Sequence, residues 1–440
     1  MTKVLRFAGG AFLGVALLGA FAASGLATSH SRTSVTPLPS SSCGKLQYEG
    51  SGSPDKIIAS DLPLQGANRA LTTEMSRAIV FMLKQSGWKA GKWKIGYQSC
   101  DDSTAQAGGY DTSKCTQNAN AYAHDSSLIG IVGTFNSGCA KLVIPVVNRA
   151  AGGPIAMVSP VNTYPGLTLS GPGTAPGEPR VYYPTGKRNY ARVVWTDRFQ
   201  GAADAIFAKT TMKVKKVYVL TDKTTYGAGI AKLFQINAKK LGIKLVGFSA
   251  WDVNGTSFES LANTVKSSGA NGVFLGGNVC FQGGKVIKDL RAALGATFPI
   301  LVPDGFTPVS ATYTTSGGTA KGAYISHPGV PVNQLKGAGK AFVLGFRKAN
   351  GGKLPDPYTA YAAQAAQVLL QAIAASDGTN GSASSHLFNL RVKNGILGNF
   401  RIDSNGDTTL GIVTFGQIIS VKPTYERFVK LITPPVSLTK

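Results

Sequence analysis

From about residue 54 onward, short apolar runs alternate with stretches of helical periodicity. That rhythm constrains the fold more than any other feature of the chain. One set of predicted strands is Lys56–Ser60, Trp93–Ser99, Leu128–Thr134 and Pro154–Ser159. A second is Lys216–Asp222, Lys244–Ala250, Gly272–Gly276, Pro299–Pro303 and Gly322–Ser326. Several are continuous aliphatic or β-branched runs, as expected of parallel strands covered on both faces. Between them, Ala67–Gln85, Gly227–Leu241, Ser257–Ser268 and Gly283–Leu294 place their apolar residues on one helical face. Leu241-Gly242 and Leu294-Gly295 read as helix ends with glycine beyond the last turn.

Strands alternating with helices imply parallel sheets flanked by helices. So many strands in 440 residues imply two such sheets. The Gly/Pro-rich stretch 170–189 interrupts the rhythm near their boundary and reads as a loop. After Ser326 the pattern changes to a helix carrying Ala341, Leu344 and Phe346, then helix Tyr358–Ala374, the turn Asp403–Asp407, and a final β-like run Leu410–Val421.

The N-terminus reads as an export signal. Lys3 and Arg6 precede an uncharged apolar stretch, Phe7–Ala23, with plausible cuts after Ala22 or Ala27. A retained membrane anchor is the alternative. Residues 28–42 are Ser/Thr/Pro-rich and read as a tether. The expected organisation is a signal peptide at 1–27, a tether and N-terminal extension at 28–53, one lobe from 54–192 with 328–407, and a second from 193–327 with 408–435.

Removal of Lys3 and Arg6 takes the formal charge from +24 to +22. The basic residues are scattered; Lys213, Lys215 and Lys216 form the densest group, and no run of five exists. With an exported destination, this argues against a nucleic-acid partner. Attraction to an anionic surface, or life in acid with few carboxylates to protonate, are the readings left open.

The chain lacks His-Glu-x-x-His, Cys-x-x-Cys, the phosphate-loop signature and Gly-x-Ser-x-Gly. His30, His124, His327 and His386 stand at no metal-ligand spacing and read as surface or loop histidines. Asp403–Asp407 resembles half a calcium loop, but Thr414 stands where a bidentate Glu belongs, so it reads as a turn. Nothing here supports an enzyme, a cofactor or a metal. Two α/β sheets with loops at their strand ends suit ligand capture in a cleft that closes by hinge motion.

Specific segments resemble a known family. Ile131–Gly138 (IVGTFNSG), Pro154–Thr163 (PIAMVSPVNT) and Leu167-Thr168 are similar in order and spacing to the leucine/isoleucine/valine-binding family of type I periplasmic solute-binding proteins, which serve ABC importers. So are Val219–Lys223 with Thr225–Gly227, Gly276-Gly277-Asn278, Pro303-Asp304-Gly305 and Tyr358–Ala363. The likeness covers roughly residues 54–420. It implies a two-lobed α/β fold, each lobe a parallel sheet flanked by helices and joined by a hinge. It also implies a monomer that captures a small molecule, a branched-chain-like amino acid or a related small amide or acid, and passes it to a membrane permease. A surface sensor of the same fold, uncoupled from transport, is the alternative.

The resemblance also implies roles. Ser137, at a helix start, and Thr163 would hold a carboxylate; Thr163 and the Val161 carbonyl would hold an amine. Asp304 would pair with an ammonium, one methylene shorter than the Glu familiar there. Tyr226 and Tyr358 would line the cleft. Asn136 stands where a small or sulfur residue is familiar and Asn278 where an aromatic is common, which implies a more polar pocket. Arg69 would lie near the side-chain pocket. The family often ties the segment after its second strand to that after its third, which implies Cys115–Cys139; the pairing of Cys43, Cys100 and Cys280 stays open, and a Cys43–Cys100 bond would leave Cys280 free. Cys100–Cys115 is the competing pairing.

Overall fold

The computed structural model describes residues 35–422 and 424–440. The expected signal peptide and the start of the tether lie outside these residues. The first sheet contains β1 (Lys56–Leu62), β2 (Lys89–Ala90), β3 (Trp93–Asp101), β4 (Leu128–Gly133), β5 (Ala156–Ser159) and β6 (Tyr190–Arg192), in the order β2-β3-β1-β4-β5-β6. Its pairings are parallel except β2 with β3. Every residue of β4 (LIGIVG) is buried, as its continuous apolar run predicts. Crossovers are made by α1 (Arg69–Gln85), α2 (Thr112–His124) and α3 (Ser137–Val147).

The chain then enters α4 (Asp197–Thr210), β7 (Lys216–Thr221), α5 (Thr225–Lys240), β8 (Lys244–Ala250), α6 (Glu259–Ser267), β9 (Gly272–Gly276), α7 (Gly284–Leu294), β10 (Ile300–Val302), α8 (Val309–Thr315) and β11 (Tyr324–Pro328). It returns through α9 (Ala338–Ala349), α10 (Pro357–Ala375) and α11 (Asn380–Ser385), which pack on the first half. The hairpin β12 (Arg391–Gly395) and β13 (Gly398–Arg401) follows, then β14 (Val413–Ile418), β15 (Glu426–Ile432) and α12 (Val436–Thr439). The second sheet runs β15-β14-β11-β10-β9-β7-β8, with β14 antiparallel to both neighbours.

Helix ends fall where the sequence punctuates them. Gly242 and Gly295 follow α5 and α7 with φ of 76° and 95°, the left-handed region in which a side chain is strained. Stretch 170–189 is a loop apart from a 3₁₀ turn at Arg180–Tyr182.

Four expectations are corrected. The expected tether is packed from residue 35 on: Leu38 is buried, its N–H donates to Gln98 Oε1 at 2.7 Å, and Gln47 pairs with Tyr97. An apolar residue and a cysteine, placed opposite a partly open strand, outweigh the Ser/Pro composition. The run Leu410–Val421 holds only β14; its partner β15 escapes the sequence pattern because Arg427, Phe428, Lys430 and Leu431 are exposed on an edge strand. Strand β6 was not expected because it carries Arg192, an unlikely core residue that is wholly buried here. His327 is no loop histidine: it sits buried in β11 with Nε2 3.0 Å from Glu426 Oε2.

Cys43 is joined to Cys100 and Cys115 to Cys139, leaving Cys280 free and buried. Among the described residues no helix is long and apolar enough to cross a membrane.

Candidate functional site

In both sheets the strand order reverses beside an inner strand: β1 lies between β3 and β4, and β7 between β8 and β9. Loops leaving such a reversal diverge and open a crevice at the C-terminal strand ends. The loops after β4, β5, β9 and β10 and the start of α5 meet at one small cavity of about 20 Å³. Its walls are Phe135, Asn136, Ser137, Val161, Thr163, Tyr226, Asn278, Asp304 and Gly305.

Seven of the nine expected ligand residues are in that wall. Tyr358, from α10, reaches the same place through Asp304, to which its hydroxyl donates. Arg69 does not: it is exposed at the first turn of α1, outside the wall. Phe135 and Gly305 belong to the wall and were not expected. Their signal was adjacency to Asn136 and Asp304 in loops already marked as site loops.

Ser137 opens α3, whose N-cap side chain makes no capping bond. The first N–H groups of the helix therefore have no side-chain cap, and they lie at the positive end of the helix dipole. Ser159 fixes the next loop. Its hydroxyl donates to the Thr134 carbonyl at 3.0 Å and accepts from the N–H groups of Val161 and Asn162 at 3.1 and 2.9 Å. Asn162 Nδ2 then donates to the Phe135 carbonyl at 2.9 Å. The loops carrying Ser137 and Thr163 are thus tied together behind the cavity.

Behind that loop lies Arg192, the residue that sequence reasoning missed most completely. Its Nε donates to Asp407 Oδ1 at 2.7 Å and its Nη1 to the carbonyls of Asn162 and Tyr164, both at 2.9 Å. Asp407 belongs to the Asp403–Asp407 segment; Asp403 Oδ1 accepts from Asn405 and Asp407 N–H at 2.8 and 2.9 Å. The turn reading is right locally, but the turn also delivers a buried counter-ion.

On the opposite wall, Tyr226 donates to Asp304 Oδ1 at 2.6 Å and Tyr358 to Oδ2. Burial pushes the Asp304 carboxyl above its usual range, opposed by these hydrogen bonds. Burial, and then the Asp304 charge, push both phenols up, so they remain donors. Asp197, first residue of α4 and wholly buried, is pushed well above the carboxylate range by burial, and the Asp304 charge adds to the shift. Asn278 is held by Asp222, whose Oδ2 accepts from Asn278 N and Nδ2 at 2.9 and 2.8 Å. Burial raises Asp222 to about 6 against those bonds. Cys280, Phe281 and Tyr110 pack beside this loop, with Phe281 and Tyr110 rings edge to face at 5.6 Å.

A cavity of this kind holds polar groups of both signs: helix N–H groups and hydroxyls on one wall, a carboxylate on the other. Comparison with known proteins places it. The family model described as periplasmic binding protein matches residues 61–405. The chain belongs to this family. It is 26% identical over 291 residues to an amino acid binding protein of Pseudomonas aeruginosa, covering 66% of this chain and 71% of that one. It is 25% identical over 372 residues to Leu/Ile/Val-binding protein homolog 2 of Brucella abortus, covering 84% and 91%. Among solved structures, a leucine-binding protein, LivK, of Thermotoga maritima superposes with a TM-score of 0.73 at 21% identity, over 86% of this chain and 99% of that one. The fold is that of a type I periplasmic binding protein, and the cavity of this periplasmic binding protein lies between its two sheets.

Proposed function

We propose that this periplasmic binding protein is the extracytoplasmic solute-binding component of an ABC importer and captures a small amino acid or a related amide or acid. The observation that carries the reading is the convergence of Ser137, Thr163 and Asp304 on one cavity. A zwitterion needs donors and a carboxylate a few ångströms apart, in a place that excludes water. The α3 N-terminus with Ser137 and Thr163 suits the α-carboxylate; Asp304 suits the ammonium, which would compete with the two tyrosine hydroxyls now on it. The names of the Pseudomonas and Brucella relatives support the amino-acid class.

In this reading the lobes are residues 54–192 with 328–407 and residues 193–327 with 408–435. Asp304 and Asn278 come from the second and the remaining wall mainly from the first, so a bound solute bridges them and holds them shut. The closed shape is what a permease would recognise. The reading has no turnover in it, and the apolar N-terminal stretch, read as an export signal, supports a location outside the cytoplasm.

The test is thermal-shift screening of the purified protein against amino acids, amides and aromatic acids. A ligand that binds only the native state raises the melting temperature with concentration. A rise with amino acids that is lost in Asp304→Ala is expected. No response to any amine-bearing solute would reject the proposal.

A further inference from the structure

One polar group in the cavity has no partner. Asn136 is 5% exposed, and its Oδ1 is buried without a hydrogen bond. Asparagine is among the favoured N-cap residues because its side chain can accept from the first helical turn. Thr224, Asp111, Asp356 and Thr379 do so for their helices; Asn136, at the N-cap of α3, does not. Asn136 is also one of the residues that line the cavity. A buried amide left unpaired is destabilising, and natural proteins keep few of them.

A second amide stands on the other wall. Asn278 gives its Nδ2 and N–H to Asp222, so its Oδ1 is the atom left toward Gly305, where an added Cβ would come within 3.1 Å of it. Two asparagines therefore line a space whose apolar lining is only Phe135, Val161 and the ring of Tyr226. An aliphatic side chain placed here would leave the Asn136 oxygen unpaired and desolvated. A site built to hydrogen-bond a group rejects the analogue that lacks it.

We propose that the solute carries a hydrogen-bond donor on its side chain, a carboxamide N–H or a hydroxyl, and that Asn136 selects it over the isosteric aliphatic amino acid, with Asn278 assisting from the facing wall. This rests on the amino-acid reading of the same cavity.

Near-isosteric pairs test it. Titration calorimetry of the purified protein with L-threonine against L-valine, and with L-asparagine against L-leucine, should show the polar member binding at least about tenfold tighter in one pair or both. Asn136→Ala should erase that preference. Equal or tighter binding of the aliphatic member in both pairs overturns the proposal and leaves amino-acid capture standing. A polar preference that survives in folded Asn136→Ala overturns the role of Asn136. Binding of no amino acid overturns the amino-acid reading and this inference with it. Should Asn136→Ala not fold, the wild-type ranking of the pairs still decides the solute class.

Discussion

Replacing Arg192 with methionine tests whether a buried ion pair holds the site loop from behind. Arg192 is wholly buried and Asp407 nearly so, with Nε 2.7 Å from Oδ1. The substitution keeps most of the packing volume and removes every hydrogen bond of the guanidinium. It strands the Asn162 carbonyl, leaves that of Tyr164 with the Leu167 N–H at 3.4 Å, and leaves the Asp407 charge with Thr168 Oγ1 as its side-chain donor, at 2.9 and 3.0 Å. Breaking one half of a buried pair costs about 3–5 kcal/mol, because the remaining charge stays desolvated. Adding Asp407→Asn removes that charge, so the double variant should recover about 1–3 kcal/mol of the summed single losses. Urea unfolding at pH 7, followed by tryptophan fluorescence and circular dichroism, reads each value. Solute affinity should fall in Arg192→Met as well, although Arg192 touches no cavity wall, because Val161 and Thr163 lie on the released loop. An Arg192→Met variant within about 1 kcal/mol of wild type, or strictly additive single losses, would refute this account.

Burial raises Asp61 to about 7 and Asp222 to about 6, and raises Asp102 well above its ordinary range. Folded values above the unfolded one mean that the native state holds protons the unfolded chain releases. Their stabilisation is present below the unfolded pKa and is lost as pH rises through about 6–7. Urea midpoints should therefore decline from pH 5 to pH 8, and Asp61→Asn should flatten that decline; an unchanged slope in the variant would show that Asp61 is not its source. The pair Cys115→Ser and Cys139→Ser removes a crosslink over 24 residues and should cost about 3 kcal/mol, read by urea unfolding with and without reductant. Asp304→Ala should weaken an amine-bearing solute at least about tenfold by calorimetry; unchanged affinity would remove Asp304 from the ammonium role.

The sequence carried most of the first-order architecture. Short continuous runs such as LIGIVG in β4 read as strands buried on both faces, and glycines such as Gly242 and Gly295 mark helix ends through the φ they alone adopt freely. These signals are local, so one chain suffices to read them. The candidate site was legible where a polar residue follows a strand: Ser137, Thr163 and Asp304 each sit one loop beyond a β run. Edge strand β15 and strand β6 were not legible, because a strand exposed along most of its length and a buried arginine break the apolar pattern on which such readings depend.

What only the tertiary structure decided is partnership over distance. Arg192 and Asp407 are 215 positions apart, and Tyr358 and Asp304 are 54 apart; no spacing rule joins them. Whether Arg69 faces solvent, whether Leu38 is buried, and whether Asn136 caps its own helix are also settled there. Local periodicity says which side of an element is covered. It cannot say what covers it, because burial and charge pairing depend on which distant segments the folded chain brings to the same few ångströms.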